Sequence, residues 1–229
     1  MAMFPRMAEI VPEGKRGAAR VQHLALQGQA ARQASYVAGE YISTPPGTYA
    51  LLFLKNESGS STCMMSDLGY ERSTCLEVVK RAHGHALIAG LGLGMILHPI
   101  LKNPGVDSVT VIEKCQDVID LVSPSLPSSS KLTIVAGDIF GWTPPPGVRY
   151  DVMWFDIWPD IAPTRLPEMA ELHGRFAPYL NHNNPECWME SWHRQESEGI
   201  LARTEPLAPQ PSQPCCTGCS QANVNEPGT

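Results

Sequence analysis

Three glycines and one glutamate have the spacing of a nucleoside-binding site. Gly90, Gly92 and Gly94 follow the apolar residues 86–89, and Glu113 ends a second apolar run, 23 positions after Gly90. Alternate glycines after a buried strand let the backbone turn tightly and approach a ligand, and the later carboxylate can accept hydrogen bonds from both ribose hydroxyls. The pattern therefore predicts that a nucleoside binds at this turn.

Met95 narrows the class of ligand. The dinucleotide-binding form of this pattern has a glycine at that position, because a pyrophosphate needs free access to the start of the following helix. A methionine there obstructs such access. We therefore expect a ligand that contains adenosine and lacks a pyrophosphate.

Further carboxylates follow the next two predicted strands. Asp138 follows residues 132–136 after one glycine. Asp156 ends the run 151–156, and Asp160 lies two residues beyond Trp158. Ligands of open α/β sheets bind at the carboxyl ends of the strands, which favours a binding role for these side chains. Aspartate is also common in turns and as a helix cap, so a structural role for each stays open.

The elements that position these residues alternate along the chain. Mostly apolar runs predict strands buried on both faces, and the segments between them predict helices. Such alternation predicts an α/β fold with a Rossmann-like parallel sheet. The predicted strands are 86–90, 108–113, 132–136 and 151–156, and the predicted helices are 94–102, 116–122 and 164–180.

The parallel sheet is expected to be shortened on its C-terminal side. No further strand is recognisable after Leu180, and Trp188 and Trp192, four positions apart, predict a short packing helix. The amino-terminal strands would then complete the sheet, or it would remain short.

The rest of the chain divides into three smaller segments. Residues 1–45 form an arm with a strand at 19–26 and a helix at 27–38, and residues 46–67 form a β-hairpin. The Rossmann-like domain spans 68–194, and residues 195–229 form a Pro-rich tail that cannot bury enough apolar surface to order itself.

Composition restricts the class of partner. The 229 residues are 43% hydrophobic, enough for a core, and their net charge of -6 gives no general attraction for nucleic acid. A small or cationic partner is favoured, and nucleic acid is not. No apolar run reaches membrane-spanning length and no signal peptide is recognisable, so we expect a cytoplasmic protein without membrane contact.

The seven cysteines do not indicate a metal site. Cys63, Cys75, Cys115 and Cys187 are scattered singly, as small apolar residues often are. Cys215, Cys216 and Cys219 cluster in the tail, where Cys216 and Cys219 have the spacing of half a zinc knuckle. No histidine and no second pair accompanies them there, so no metal is predicted.

As a set, these motifs resemble the class I methyltransferases that use S-adenosylmethionine, and most closely their spermidine-synthase-like group. The matching segments are Ala89-Gly-Leu-Gly-Leu-Gly94, Val111-Ile-Glu-Lys114, Gly137-Asp-Ile-Phe140 and Tyr150-Asp-Val-Met-Trp-Phe-Asp156, preceded by a hairpin that ends in Met64-Met-Ser-Asp67. The resemblance covers about residues 45–192.

The resemblance implies a role for each matching residue. Gly90, Leu91, Gly92 and Gly94 would line the methionine part of the cofactor, Glu113 and Lys114 would lie at its ribose, and Asp138 and Ile139 at its adenine. Asp156 would face the reacting centre as the catalytic residue. Asp67, Tyr70, Trp158 and Asp160 are candidates for the acceptor subsite, although Tyr70-Glu71-Arg72 is also typical of a solvated helix start.

These features lead to one hypothesis and two alternatives. The hypothesis is an S-adenosylmethionine-dependent methyltransferase that acts on a small acceptor, such as an amine. One alternative is an aminopropyltransferase that uses decarboxylated S-adenosylmethionine, and the other is a non-catalytic module that binds a nucleoside or serves assembly. Fold alone does not identify the acceptor.

Overall fold

A parallel sheet and an antiparallel sheet make up most of the described chain. The computed structural model describes residues 4–27, 36–37, 40–41 and 44–204 of the 229. The strands are β1 Gly14–Arg16, β2 Ala19–Leu26, β3 Tyr36–Val37, β4 Glu40–Tyr41, β5 Gly47–Lys55, β6 Ser61–Ser66, β7 Gly84–Ala89, β8 Val106–Glu113, β9 Leu132–Ala136, β10 Val152–Phe155 and β11 Trp188–Ser191.

The described residues also form six α-helices and four short 3-10 helices. The α-helices are α1 Gly69–Thr74, α2 Leu76–Arg81, α3 Leu97–Lys102, α4 Gln116–Val122, α5 Leu166–Phe176 and α6 Arg194–Thr204. The 3-10 helices are Met7–Glu9, Ser123–Ser125, Pro163–Arg165 and Ala177–Tyr179.

The parallel sheet has the strand order β11-β10-β7-β8-β9, with every neighbouring pair parallel. The chain runs outward from β7 to β9 and then returns to the other side of β7 with β10, so the order reverses between β7 and β10. Ligands of such sheets bind at that reversal, outside the carboxyl ends of the strands. The predicted Rossmann-like fold and its four predicted strands are confirmed.

The segment after Leu180 differs from the prediction. Trp188 begins strand β11, which pairs in parallel with β10, and Trp192 follows its end. The Trp188 ring stacks on that of Trp154 in β10, with 5.7 Å between the centroids. The predicted packing helix was wrong because pairing with β10, remote in sequence, decides the conformation. The sheet therefore has five strands.

The amino-terminal strands form a separate antiparallel sheet and do not complete the parallel one. Its order is β1-β2-β5-β6, so the predicted hairpin β5–β6 is confirmed and the predicted strand β2 pairs with it along Ala19–Leu26. Of the helix predicted over 27–38, residues 28–35 and 38 lie outside the described part of the chain. Residues 36–37 belong to β3, which pairs with β4.

Two clusters of buried side chains cover the two faces of the parallel sheet. One joins the antiparallel sheet to β7 and β8 through residues such as Leu52, Met65 and Val111. The other lies under α5, whose Met169, Leu172 and Phe176 recur at helical spacing on one face. Because both faces are covered, the strands between them can be apolar throughout.

The C-terminal part begins with a helix where a tail was predicted. Residues 194–204 form α6, so the part of the predicted tail from residue 195 to 204 is helical. Residues 205–229, with Cys215, Cys216 and Cys219, lie outside the described residues. Within the described ranges, no helix combines the length and apolarity needed to cross a lipid bilayer.

Candidate active site

A cavity of about 520 Å³ lies at the carboxyl ends of β7, β8, β9 and β10. Its size falls within the usual range for small-molecule sites, about 300–1,000 Å³. The predicted site residues that line it are Gly90, Leu91, Gly92, Glu113, Lys114, Asp138, Ile139, Asp156 and Trp158. The structure thus brings together residues that the sequence places at four separate strand ends.

Gly90 allows the first loop to lie directly against the end of β10. Its φ of +97° is in the left-handed region, and a Cβ atom there would collide with the backbone carbonyl oxygen of Asp156. The Asp156 N–H also donates to the carbonyl of Ala89, at 2.9 Å. The absence of a side chain at Gly90 therefore helps to place Asp156 at the cavity wall.

Glu113 joins the first two strand-end loops. Its Oε2 accepts a hydrogen bond from the Leu91 N–H at 2.8 Å, and its Oε1 accepts one from the Cys115 N–H, also at 2.8 Å. The residue is 9% exposed and lines the cavity. Each carboxylate oxygen can accept more than one hydrogen bond, so Glu113 retains capacity for ribose hydroxyls while its position is held from both sides.

Asp138 is held by a neighbouring cation and by its own loop. Its Oδ2 lies 2.8 Å from the Lys114 Nζ, and its Oδ1 accepts from the Phe140 N–H at 3.0 Å. The hydrogen bond from Lys114 is the main reason that the pKa of Asp138 is lowered. Arg175 of α5 holds the same loop, because its guanidinium donates to the carbonyls of Phe140 and Trp142.

Asp156 has a different environment. Burial raises its pKa to about 7, and an interaction with the Trp154 side chain opposes this rise. Among the described residues, no backbone N–H and no cationic side chain donates a hydrogen bond to its carboxylate. Asp156 therefore changes protonation near neutral pH, a property expected of a group that moves a proton in a reaction.

The antiparallel sheet forms one wall of the cavity, its roof. The sequence analysis did not predict this contribution. Leu52, Leu54, Met64 and Met65 line it. The Met65 Sδ accepts a hydrogen bond from the Leu93 N–H at 3.1 Å and packs against Gly92, whose φ is +53°. Alternation along β5 indicates that Leu52 and Leu54 share a face, but no local signal indicates that this face covers the glycine loop.

Gly94 does not line the cavity. Its φ is +73°, and a Cβ atom there would meet the side chain of Leu126, on the chain segment after α4. Its role in the described structure is to turn the backbone towards α3, where Met95 and Ile96 again border the cavity. We therefore correct its expected contact with the methionine part of a cofactor.

Asp67 lies away from the cavity and has a structural role. Its carboxylate is fully buried and accepts hydrogen bonds from the Met7 N–H and the Ala50 N–H, each at 2.7 Å, and from Arg72 at 2.9 Å. These bonds join the amino-terminal segment to the hairpin and α1. Because both of its oxygens are engaged in this way, Asp67 is withdrawn as an acceptor-binding residue.

Two further candidates for the acceptor subsite also lie outside the cavity lining. Tyr70 stacks on His193, with 5.4 Å between the ring centroids, and Asp160 forms an exposed ion pair with Arg165 at 2.9 Å. Trp158, in contrast, is buried at the cavity, where its Nε1 donates to Glu168 at 2.6 Å. Of the four candidates, Trp158 is the one that lines the cavity.

A residue that the sequence analysis left as part of a solvated helix start interacts electrostatically with Asp156. Glu71 of α1 is half-buried, and its pKa is raised to about 8, chiefly by burial and further by the charge of Asp156. The sequence contains no signal for this, because Glu71 lies 85 positions before Asp156 and on a different kind of element.

Within the described ranges, no three His, Cys, Asp or Glu side chains are grouped as ligands for a metal ion.

No protein-family model and no curated protein sequence matches this chain. Solved structures with a similar fold include the N-methyltransferase NodS from Bradyrhizobium japonicum WM9. In complex with S-adenosyl-L-homocysteine, NodS aligns with a TM-score of 0.38 and 15% identity, over 48% of this chain and 57% of NodS. A second NodS structure aligns with a TM-score of 0.42 and 14% identity, over 58% of this chain and 82% of that chain.

Two other solved structures are similar at the same level. DesVI from Streptomyces venezuelae aligns with a TM-score of 0.39 and 15% identity, over 52% of this chain and 49% of DesVI. The plantazolicin methyltransferase BpumL, in complex with SAH, aligns with a TM-score of 0.35 and 19% identity, over 48% of this chain and 42% of BpumL. These scores are low, so we infer the function from the site's own residues.

Proposed function

We propose that this protein transfers a methyl group from S-adenosylmethionine to a small acceptor. The observation that carries the proposal is the cavity itself, where the glycine turn, Glu113, Asp138 and Asp156 meet at the reversal of strand order. That is the position at which α/β sheets of this type bind nucleosides and place their reacting groups.

The residues present fit an adenosine-containing cofactor. Glu113 is buried at the cavity with unused acceptor capacity on both oxygens, as a ribose requires. Ile139 offers an apolar surface beside Asp138, which suits an adenine ring and its amino group. Met95 borders the cavity where a pyrophosphate would need space, which supports a ligand without one.

When bound, S-adenosylmethionine supplies a methyl group already activated by its sulfonium. The chain's own residues then have a limited task, which is to align the acceptor, exclude water and manage one proton. Leu52, Met65 and Trp158 provide apolar walls that exclude water. Asp156 is the proposed proton acceptor, because its pKa of about 7 lets it take a proton from an acceptor amine near neutral pH.

Binding of S-adenosylhomocysteine to the purified chain tests the proposal. We expect isothermal titration calorimetry to detect binding, and Glu113→Ala to weaken it by roughly tenfold or more, since loss of a two-point ribose contact should cost about 1.4 kcal/mol. Asp120→Ala is the matched control, because Asp120 forms an ion pair with Arg16 on the surface and does not line the cavity.

The outcome separates this function from the other candidates. No binding of S-adenosylhomocysteine by the folded chain would contradict the proposal. Tighter binding of decarboxylated S-adenosylmethionine than of S-adenosylmethionine would favour aminopropyl transfer. Binding without transfer to any member of an amine and metabolite panel would favour a non-catalytic module.

A further inference from the structure

A second cavity, of about 610 Å³, lies against strands β7, β8 and β9 of the parallel sheet. Its size is also within the usual range for small-molecule sites. It shares no lining residue with the cavity described above, the first cavity. One wall consists of residues from the segment 142–150, and the strand residues that line it are His85, Ser108, Thr110, Thr133 and Val135.

The second cavity exists because one connection of the parallel sheet contains no helix. The connections between its other successive strands contain α3, α4 and α5, whereas residues 137–151, all of them described, run from β9 to β10 without a helix. Leu87 and Ile112 belong to the core under α5, and His85 and Thr110 precede them by two positions, so they lie on the same face of the sheet. Part of this face therefore extends beyond the cover of α5.

The wall opposite the strands is held in place by α5 and by the segment that follows it. The Arg175 guanidinium donates to the carbonyl of Trp142 at 3.2 Å, and the Trp142 ring stacks on that of Phe176, with 6.3 Å between the centroids. At the other end of the wall, the Tyr150 N–H donates to the carbonyl of Tyr179 at 2.8 Å. The cavity is therefore formed by the fold itself, as most small-molecule sites are.

The lining offers a positive charge and free hydrogen-bond donors. Among the described residues that line the second cavity, Arg149 is the one Lys or Arg, and there is no Asp or Glu. The Arg149 Nη1 donates to the adjacent Val148 carbonyl at 2.9 Å, which leaves its other N–H groups available. The Thr133 hydroxyl and the Trp142 Nε1 make no hydrogen bond to another described residue. Such a lining favours a ligand that carries acceptors and a negative charge.

The carboxylate of Asp151, which follows Tyr150, does not line the cavity and is already compensated. Its Oδ1 accepts hydrogen bonds from the side chains of Asn181 and Asn184, each at 2.8 Å, and its Oδ2 accepts one from the His85 N–H at 2.9 Å. Because three donors stabilise this charge, it opposes an anion beside Arg149 only weakly.

Apolar surface lies beside these donors. It comes from Trp142, Pro145, Val135 and Val148. A flat ring packs well against an indole and aliphatic side chains and loses little conformational freedom on binding. The ligand that matches both parts of the lining has a flat apolar body and an anionic group.

We propose that the second cavity is a binding site for a flat organic anion, such as an aromatic carboxylate, and that Arg149 and Thr133 bind the anionic group. The site does not depend on the proposed methyl transfer. Its charge preference is opposite to that of the first cavity, whose lining contains three carboxyl side chains, Glu113, Asp138 and Asp156, and one lysine.

Sodium benzoate is the probe, and two tryptophans report where it binds. In ¹H–¹⁵N NMR spectra of the full chain, benzoate should shift the indole N–H signal of Trp142 and leave that of Trp158, which lines the first cavity. Trp142→Phe and Trp158→Phe identify the two signals. We expect a Kd on the order of 1 mM for so small a ligand. Benzylamine, which has a similar ring and the opposite charge, should bind at least roughly tenfold more weakly.

Two substitutions test the assigned residues. Arg149→Gln should weaken benzoate binding by roughly fivefold or more, because a charged hydrogen bond is lost. Thr133→Phe should abolish it, because the added ring occupies the cavity. Arg20→Gln is the matched control. Arg20 is exposed and lies 4.9 Å from the Phe53 ring, much as Arg149 lies 6.0 Å from the Tyr179 ring, but it lines neither cavity.

The control variant should bind benzoate as the unmutated chain does, and melting temperatures show that each variant is folded. An unshifted Trp142 signal at about 50 mM benzoate, well above the expected Kd, would overturn the proposal. A shift of the Trp158 signal alone would place benzoate in the first cavity and overturn it too. Unchanged affinity in folded Arg149→Gln, or benzylamine binding as tight as benzoate binding, would have the same consequence. Because no cofactor is present, these results are independent of whether S-adenosylhomocysteine binds.

Discussion

At one end of the cavity, which we call the proposed nucleoside end, Glu113 and Asp138 accept hydrogen bonds from backbone N–H groups, and Asp138 also pairs with Lys114. At the other end, Asp156 is half-buried, and among the described residues no backbone N–H and no cationic side chain donates a hydrogen bond to its carboxylate. The pKa of Asp138 is lowered, mainly by Lys114, and the pKa values of Asp156 and Glu71 are raised, mainly by burial. Carboxylates with fixed partners suit permanent recognition of a nucleoside. Carboxyls that titrate near neutral pH suit a site that exchanges protons.

The largest expected effect is on catalysis at the Asp156 end. Asp156→Asn should lower turnover by roughly 10²-fold, the usual scale for a positioned acid–base group, and leave S-adenosylhomocysteine affinity within about twofold. Steady-state rates on an identified acceptor, together with calorimetry of cofactor binding, measure both. Full activity in the Asn variant would remove Asp156 from the chemical step, and a loss of cofactor affinity would assign it to the proposed nucleoside end.

A smaller effect is expected at the proposed nucleoside end. Asp138→Ala should weaken S-adenosylhomocysteine binding by roughly fivefold, because one partly exposed hydrogen bond contributes about 1 kcal/mol. Turnover at saturating cofactor should stay near that of the unmutated chain. Calorimetry measures the affinity, and single-turnover experiments measure the rate. A fall in rate without a fall in affinity would contradict the assignment of Asp138 to cofactor binding.

Alkaline stability should also distinguish the two ends. A carboxyl whose pKa is raised on folding stabilises the folded state fully below its unfolded value, and this contribution is lost as pH rises through its folded value. For Asp156 this stabilisation is lost between about pH 4 and pH 7, and for Glu71 between about pH 4.5 and pH 8. At about pH 9, Asp156→Asn or Glu71→Gln should therefore raise the melting temperature by roughly 3–6 °C.

The same measurement at about pH 4, where both carboxyls are protonated in the folded chain, should show little difference from the unmutated chain. Asp138→Asn is the control from the other end of the cavity. The pKa of Asp138 is shifted down, opposite to the shifts of Asp156 and Glu71, and its side chain is 40% exposed. Its melting temperature should not rise at high pH. If the melting temperature of Asp138→Asn rose as much as that of Glu71→Gln, burial would not explain the difference between the two ends of the cavity.

The smallest effect is expected from the residues that follow α6 in the sequence. Deletion of residues 205–229 should leave the melting temperature and the S-adenosylhomocysteine affinity within error, since Pro-rich polar sequence contributes little buried apolar area. Differential scanning calorimetry and a cofactor titration check this. A clear loss of either would show that Cys215, Cys216, Cys219 or their neighbours contribute to the folded chain.

The proposed nucleoside end could be predicted from the sequence in detail. Gly90, Gly92, Glu113 and Asp138 each follow a strongly apolar strand, and the carboxyl ends of parallel strands meet at one edge of the sheet. The end of the cavity at Asp156 was predicted only in part. Asp156 and Trp158 line the cavity, but Asp67, Tyr70 and Asp160 are engaged elsewhere.

The sequence by itself determined the parallel strands, the turn at the glycines and the carboxylates at the strand ends, because apolar runs and backbone freedom are local properties. Only the tertiary structure decided that Trp188 starts a strand, that Met65 covers the glycine loop and that the charge of Asp156 acts on Glu71. Each of these depends on packing between elements distant in the chain, and the burial that raises the pKa of Glu71 exists only once those elements have assembled.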